Sequence, residues 1–511
     1  MPKRAATVPA TGITLDPTGQ LPMHRQLYQR LRAAILAGEL TAGTRLPSTR
    51  SLAAELAVSR TTALTAYQQL RDEGYLDGQV GAGTTVAQLS GPGLALPASA
   101  HAAPQAPPRP ALSARGAMMA GDRWRLRPPD SFGAGLRAFP LGVPALDAFP
   151  HPVWTRILTR RARRSLGGLL GYQDVAGYRP LREAIAAYLG MARGVRCTPD
   201  RILVVGGAQA GLDLAARLLL DPGDPAWVED PGYYGARGAL VGAGARLVPV
   251  PVDSDGLDVA AGQRYEPGAR LAYVTPSHQF PVGVTMSLPR RLALLAWANQ
   301  VGAFVLEDDY ESEYRYVGRP LPALQGLDEA GRVVYVGSFS KVLFPSLRIG
   351  YLVVPDGLMD AFTAAQRLSH IHVPALEQAV LADFLAEGHF GRHLRRMRAL
   401  YAARGAALIR AIRRAAGGAL EVRSAHAGLH LVGWLPTGTD DRAVAARAAQ
   451  HGVQAQPLSA HALQPLSRGG LLLGYAAVAQ PEIEQGARRL AAALGRSTPR
   501  RSRALGVKLS R

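Results

Sequence analysis

The 511-residue chain is short of several things, and each shortage narrows its chemistry. It has one cysteine, Cys197, which excludes an intramolecular disulfide framework and a multi-cysteine metal site; no metal is expected. Behind Lys3 and Arg4 comes Ala-Ala-Thr-Val-Pro-Ala-Thr-Gly, with no apolar h-region, so no secretory signal is expected. The longest apolar run, Leu292–Leu306, contains Asn299 and Gln300 and leads into Glu307-Asp308-Asp309. It reads as a helix running into a buried strand, not as a membrane span. A soluble, cytoplasmic protein is the expectation. Lysine is the sharpest shortage: of 58 basic residues only Lys3, Lys341 and Lys508 are lysines, and two of these stand near the chain ends. Arginine supplies charge but not a neutral amine nucleophile. Amine chemistry inside a fold therefore falls to Lys341.

What is present suits a globular protein: 48% hydrophobic and 19% charged residues, in a chain too long for one core, so two or three domains are expected. The net charge of +20 suits a polyanionic partner, although an arginine-rich composition produces the same excess without one. Residues 20–88 are helical in pattern. Residues 89–134 are rich in Pro, Ala and Gly and read as a semi-extended linker. Residues 135–495 read as an α/β domain, and 496–511 as a basic, solubilising tail. No internal repeat is evident.

In the first part, Leu27, Leu31 and Ile35 recur at four-residue spacing along a helix over His24–Gly38. Ser48 caps a second helix that buries Leu52 and Leu56, and Ser59 caps a third, running to about Asp72, with Ala63, Tyr67 and Leu70 inward. This is a helix-turn-helix, followed by a hairpin or wing at 74–86. The third helix opens Ser59-Arg60-Thr61-Thr62, polar donors placed for base edges and phosphates, while Arg45 and Arg50 flank the second. A purely helical oligomerisation domain with solvated arginines is the competing reading.

In the α/β part, seven short apolar runs predict strands: Ile202–Val205, Ala226–Glu229, Leu247–Val252, Leu271–Val274, Phe304–Glu307, Val333–Val336 and Ile349–Val354. Helix-length amphipathic stretches such as Ala210–Leu220 and Arg290–Val301 separate several of them. The pattern predicts a seven-stranded, mostly parallel sheet covered on both faces, with ligands at the carboxyl ends of its strands. Lys341 follows one of these runs, in Gly337-Ser338-Phe339-Ser340-Lys341. A lysine there is costly unless paired, neutralised or used covalently, and an imine with an aldehyde cofactor is one such use. Ser338, Ser340 and Arg348 suit a phosphate beside it, as does the helix opening at Gly206-Gly207-Ala208-Gln209. Tyr233 brings an aromatic ring to the same edge. Asp308, or alternatively Asp309, suits a protonated pyridine nitrogen, and Tyr310 a cofactor oxygen. Singly these are ordinary turns and strand ends; their common placement carries the inference.

The string GTRLPSTRSLAAELAVSRTTALTAYQQLRDEGYL, Gly43–Leu76, closely resembles the winged helix-turn-helix of the GntR regulators. The resemblance implies Arg50 and Arg60 as principal DNA contacts, support from Ser48, Ser59 and Thr61, and approach of the wing to the minor groove at Gly81. The larger part resembles the fold-type I pyridoxal-phosphate enzymes of the aspartate aminotransferase superfamily. That resemblance implies Lys341 as the Schiff-base lysine, Asp308 at the pyridine nitrogen, Tyr310 at the ring hydroxyl and Tyr233 stacked on the ring. It also implies Gly207, Ala208, Gln209, Ser338 and Arg348 around the phosphate. The usual Asn-Pro-x-Gly is here Phe280-Pro281-Val282-Gly283 after Ser277-His278-Gln279, so His278 or Gln279 must replace the Asn. The usual carboxylate-gripping Arg is missing from Gly470–Tyr475, with Arg468 out of pattern and Arg237 a candidate. Together the halves resemble the MocR subfamily of GntR regulators. This implies an operator in double-stranded DNA, pyridoxal 5′-phosphate as cofactor, and an amine or the cofactor itself as effector. It also implies a homodimer that admits a head-to-tail domain swap. A working aminotransferase with an accessory head, and an empty enzyme-like scaffold, are the alternatives.

Overall fold

The computed structural model describes residues 13–79, 83–88, 112–121, 138–164, 166–318, 322–423 and 426–495. The chain forms two compact units, Met1–Pro110 and Ala111–Arg511.

The first unit contains α1 (Met23–Leu36), β1 (Arg45–Leu46), α2 (Thr49–Glu55), α3 (Arg60–Asp72), β2 (Leu76–Gln79) and β3 (Gly83–Val86). Each end of the helix-turn-helix has a visible cause. Ser48 Oγ accepts the Ser51 N–H and Ser59 Oγ accepts the Thr62 N–H, both at 3.1 Å, satisfying donors that a helix start leaves unpaired. Between the helices Ala57 adopts φ 51°, the left-handed conformation that reverses the chain in one step. Leu27, Leu31, Leu52, Tyr67 and Leu70 interlock in one core, and the Tyr67 hydroxyl donates to the Pro47 carbonyl at 3.0 Å. Leu56 differs from expectation: it is the C-cap of α2 and only partly buried, because the helix ends before its side chain turns fully inward. In the wing, β3 pairs antiparallel with both β2 and β1.

The second unit begins with α4 (Ala114–Met119), α5 (His151–Arg164), α6 (Leu166–Leu169) and α7 (Arg179–Arg193). Then follow β4 (Ile202–Val205), α8 (Ala208–Leu219), β5 (Pro225–Asp230), α9 (Tyr234–Ala243), β6 (Arg246–Asp253), β7 (Gly256–Leu257), α10 (Val259–Tyr265) and β8 (Leu271–Val274). The remainder of the large sheet and its helices are α11 (Leu288–Val301), β9 (Phe304–Asp309), β10 (Val333–Ser338), β11 (Gly350–Val353), α12 (Met359–Ser369), α13 (Ala375–Ala386) and α14 (His389–Ala416). The chain closes with β12 (Glu421–Val422), β13 (His430–Trp434), α15 (Asp441–Gln450), β14 (Gln456–Pro457), β15 (Gly470–Gly474) and α16 (Gln480–Ala493).

All seven expected runs lie in one sheet, which has eight strands in the order β4-β11-β10-β9-β8-β5-β6-β7. The extra strand, β7, is a two-residue antiparallel edge, too short to leave an apolar signature. β11 is also antiparallel to its neighbours, while β10, β9, β8, β5 and β6 run parallel. Alternation along β4 sends Ile202 and Val204 into one core and Leu203 and Val205 into the other, which is how a strand buried on both faces reads as a continuous apolar run. A second, antiparallel sheet, β12-β13-β15-β14, differs from expectation: two of its strands have two residues, and the five-residue β13 and β15 are interrupted or ended by glycine and polar residues. Inside the 89–134 stretch expected as linker, α4 is capped by Ser113 and sets Met119 against Gly242 of α9. Residues 89–111 and 122–134 of that stretch, and the tail at 496–511, lie outside the described residues. Among the described residues no helix is long and apolar enough to cross a membrane.

Replacing Ser59 by Ala is expected to lower the opening free energy of α3 by about 1 kcal/mol, read by native-state hydrogen exchange on the full chain. Ser59→Asp should keep the cap. Equal protection in the parent chain and Ser59→Ala would contradict the capping role.

Candidate functional site

The carboxyl ends of the parallel strands converge on a cavity of ≈ 290 Å³. Its wall includes Lys341, Ser338, Ala208, Tyr233, Asp308 and Tyr310, together with Glu311, Tyr273, His430 and Gln456. Lys341 follows β10 and its Nζ donates to the Gly142 carbonyl at 2.8 Å. Burial depresses the lysine's basicity, while Glu311 and Asp308 partly restore it and Arg348 lowers it further. A depressed amine spends more of its time neutral, the form that attacks a carbonyl.

β9 separates its two aspartates by pleating. Asp308 faces the cavity, with Oδ2 accepting the Tyr273 hydroxyl at 2.8 Å, while Oδ1 is buried without a hydrogen-bond partner. Asp309 turns to the opposite face and accepts from Arg193 Nε at 2.9 Å and the Tyr335 hydroxyl at 2.7 Å. Of the two, only Asp308 has its side chain in the cavity wall. Burial pushes the Asp308 carboxyl up to about 7, against the Tyr273 hydrogen bond and with help from Asp309.

His278 and Gln279 also part ways. Gln279 is buried behind the cavity, donating to Glu229 and to the Pro231 and Phe280 carbonyls. His278 Nδ1 stands 3.1 Å from the Tyr310 hydroxyl and 2.6 Å from Glu311 Oε1. Against the pull of burial, His278 and then His430 hold Glu311 below the ordinary carboxylate range. Burial lowers the His430 pKa, so that ring is neutral near pH 7.

Among the residues expected around a phosphate, Gly207 takes φ 92° before α8, which has no side-chain cap. The Arg348 guanidinium packs over Gly207 and donates to the Gly206 carbonyl at 2.9 Å; a Cβ at Gly207 would lie 3.0 Å from it. The Gln209 side chain turns away, donating to the Gly235 carbonyl at 2.8 Å, which leaves its backbone facing the helix start. The Ser340 N–H donates to Ser338 Oγ at 3.2 Å, and Ser340 is not part of the cavity wall. Tyr233 sets its ring edge-to-face with Phe280 at 5.7 Å. Arg237 is buried on Asp230 at 3.1 Å and the Glu229 carbonyl. Arg468 is held by Glu421 and the Leu435 carbonyl. Neither belongs to the cavity wall.

Glu311, His430, Tyr273 and Gln456 escaped the sequence reading. Glu311 was one residue beyond the acidic motif and Tyr273 lay inside a predicted strand, so both were within reach. His430 and Gln456 come from the small sheet, whose strands carry too little pattern to be found.

In the first unit, Arg45, Ser48, Arg50, Ser59, Arg60 and Thr61 are exposed. Arg45 lies on β1 opposite Thr85 of the wing, Arg50 in the first turn of α2, and Arg60 and Thr61 at the start of α3. Gly81 lies outside the described residues.

Fold and cavity define a class: a winged helix-turn-helix unit joined in one chain to a lysine-bearing, aminotransferase-like unit. The model of the bacterial regulatory proteins of the gntR family matches residues 23–86, and that of the class I and II aminotransferases matches residues 141–490. The chain is 44% identical to the probable rhizopine catabolism regulatory protein MocR of Rhizobium meliloti, over 94% of this chain and 95% of that one. It is 36% identical to the HTH-type transcriptional regulator TauR of Rhodobacter capsulatus, over 79% and 82%. Among solved structures it resembles LysN, the alpha-aminoadipate aminotransferase of Thermus thermophilus complexed with N-(5′-phosphopyridoxyl)-L-leucine. Identity there is 31%, coverage 70% of this chain and 91% of that one, and the TM-score 0.65. The chain belongs to the MocR-type helix-turn-helix regulators, in which a GntR head is fused to a class I and II aminotransferase domain.

Asp308 is expected to hold its proton to about pH 7 in the cofactor-free chain, where an ordinary aspartate releases it near 3.8. A carboxyl whose native pKa is raised favours folding at low pH, and that contribution fades as pH climbs through the interval between the two values. Asp308→Asn removes this dependence. Relative to the parent, the variant should gain stability as pH rises from about 4 to about 7 in denaturant titration, with no further gain well above that. A pH-independent difference would contradict the buried, protonated carboxyl.

Proposed function

We propose that this chain is a transcriptional regulator whose DNA binding answers to pyridoxal 5′-phosphate, or an amine reacting with it, at Lys341. One observation carries the reading. The only interior lysine has a depressed basicity and shares its cavity with a buried aspartate oxygen that has no partner. An orphaned buried carboxylate oxygen is expensive, and a pyridine N–H would satisfy it. The residues present fit that cofactor. Asp308 would hold the ring nitrogen, Tyr310 with His278 the ring hydroxyl, and Tyr233 the ring face. Gly207, whose own N–H is on the Val205 carbonyl, would make the turn at which Ala208 and Gln209 offer backbone N–H groups to the phosphate, with Ser338, Ser340 and Arg348 beside them. Bound there, the cofactor supplies an aldehyde that condenses reversibly with primary amines and a ring that withdraws electrons. Lys341 is the chain's own amine for that aldehyde. Asp308 keeps the ring nitrogen charged, and His278, itself held by Glu311, orients the Tyr310 hydroxyl.

In the head, Arg50 and Arg60 would read the operator, with Arg45, Ser48, Ser59 and Thr61 at its phosphates and Gly81 at the minor groove. Ser48 and Ser59 already hold their own helices, so their part on DNA is to fix the two helix starts. A single head covers one half-site; a homodimer presents two, and pairing half-sites multiplies specificity. Ligand binding changes operator affinity only as far as the ligand prefers one arrangement of the dimer over another.

Loading the full chain with pyridoxal 5′-phosphate should produce a visible absorbance band that Lys341→Ala abolishes. No band in the parent chain would overturn the cofactor reading. Arg60→Ala should keep that band and weaken specific operator binding by roughly ten- to hundredfold, the usual worth of a base-reading arginine. Unchanged footprinting would remove Arg60 from the reading surface.

A further inference from the structure

We infer that the effector admitted beside Lys341 is a primary amine with an uncharged tail, carrying no carboxylate next to its amino group. The inference rests on the pyridoxal-phosphate reading and deepens it, since it concerns what the rest of the same cavity accepts.

The composition of the wall carries it. An amino acid brings a carboxylate one carbon from its amine, and in a desolvated cavity that charge needs a cation or several N–H donors. Among the described residues the wall contains no arginine, and its one cation there, Lys341, is committed to the aldehyde. Its two carboxyl groups are Asp308 and Glu311, and Glu311 is held below the ordinary carboxylate range against burial, chiefly by His278. A ligand carboxylate would therefore face like charge, while an ammonium would be welcomed. Arg348 is the one guanidinium that depresses the lysine, and it belongs to the phosphate. Arg237 is buried on Asp230. Arg315 and Arg423 line a neighbouring cavity of ≈ 280 Å³ that shares only His430 with this one.

The small sheet closes the argument. Leu472 on β15 stands between Val432 on β13 and Gln456 on β14, so the three side chains share a face. Gln456 belongs to the cavity wall, and so does Leu141, which packs with Val282 and Trp434 against the buried cluster of Val432, Leu458 and Leu472. Behind Gln456 the chain has packed the buried aliphatic side chains of Val432, Leu458 and Leu472 rather than a cation. Such a surface receives an apolar or neutral tail and rejects a charged one.

The test uses the full chain loaded with pyridoxal 5′-phosphate and two matched pairs of probes: 2-phenylethylamine against L-phenylalanine, and n-propylamine against L-2-aminobutyrate. Each probe is titrated while the visible spectrum and the operator affinity are followed. In both pairs the amine should half-saturate at a concentration lower by roughly tenfold or more, the equivalent of one unpaired charge at the modest end of its cost. Gln456→Arg and Leu472→Arg place a guanidinium at the missing position and should narrow or reverse that ratio; Gln456→Arg, at the half-buried position, is the variant less exposed to misfolding. Amino acids that bind as well as their amines to the parent chain would overturn the inference while leaving the cofactor reading intact. A parent chain that acquires no visible band would overturn both.

Discussion

An amine held at the carboxyl end of a buried parallel strand is costly, and the large unit is arranged around meeting that cost. Lys341 follows β10, inside the eight-stranded sheet, and donates one hydrogen bond to the carbonyl of Gly142, nearly two hundred residues earlier in the chain. Its remaining stabilisation comes from Glu311 and Asp308. Those carboxylates have supports of their own: Tyr273 on β8 for Asp308, and His278 and His430 for Glu311. The strand ends β8, β9 and β10, the loop at 278 and the small sheet thus meet at one charge. Removing the lysine would leave two buried acids with less reason to ionise, so cavity and cation are mutually dependent.

The neighbouring acids divide into two kinds. Glu229 is spent on structure, accepting the Thr275 N–H at 3.1 Å and the Thr275 hydroxyl at 2.6 Å, and Asp309 is spent on Arg193 and Tyr335. Asp308 alone among the three presents an unpartnered oxygen within the cavity wall. The same contrast separates the arginines: Arg237, Arg291 and Arg193 are buried and hold the fold together, whereas Arg45, Arg50 and Arg60 are exposed on the head. Charge that has been satisfied internally is scaffold; charge left open is where a ligand or a polyanion adds free energy. The net +20 says little about this division, because it counts both kinds equally.

Much of this was legible in residue patterns for identifiable reasons. Strands buried on both faces write continuous apolar runs, so all seven long strands were found, and serines at helix starts marked the helix-turn-helix to within a residue. The lysine stood out because it is alone. The choice between Asp308 and Asp309 depends on pleat phase, which a strand boundary uncertain by one residue cannot supply. His278 and Gln279 likewise differ only in which way their side chains turn. In the small sheet, strands of two residues such as Glu421–Val422 and Gln456–Pro457 have no period at all, and the five-residue β13 and β15 are cut by Gly433, Gly470 and Gly474. With the period went His430, Gln456 and the aliphatic cluster at Leu472, the residues that bear on what the cavity accepts.

The central claim is that occupancy of the Lys341 cavity governs the head. The most direct measurement is operator affinity of the full-length chain, cofactor-free and loaded with pyridoxal 5′-phosphate, beside Lys341→Ala treated identically. The account predicts that loading shifts the affinity of the parent chain and that this shift is lost or strongly reduced in Lys341→Ala. An affinity that is the same with and without the cofactor in the parent chain, or a shift of equal size in the variant, would contradict it.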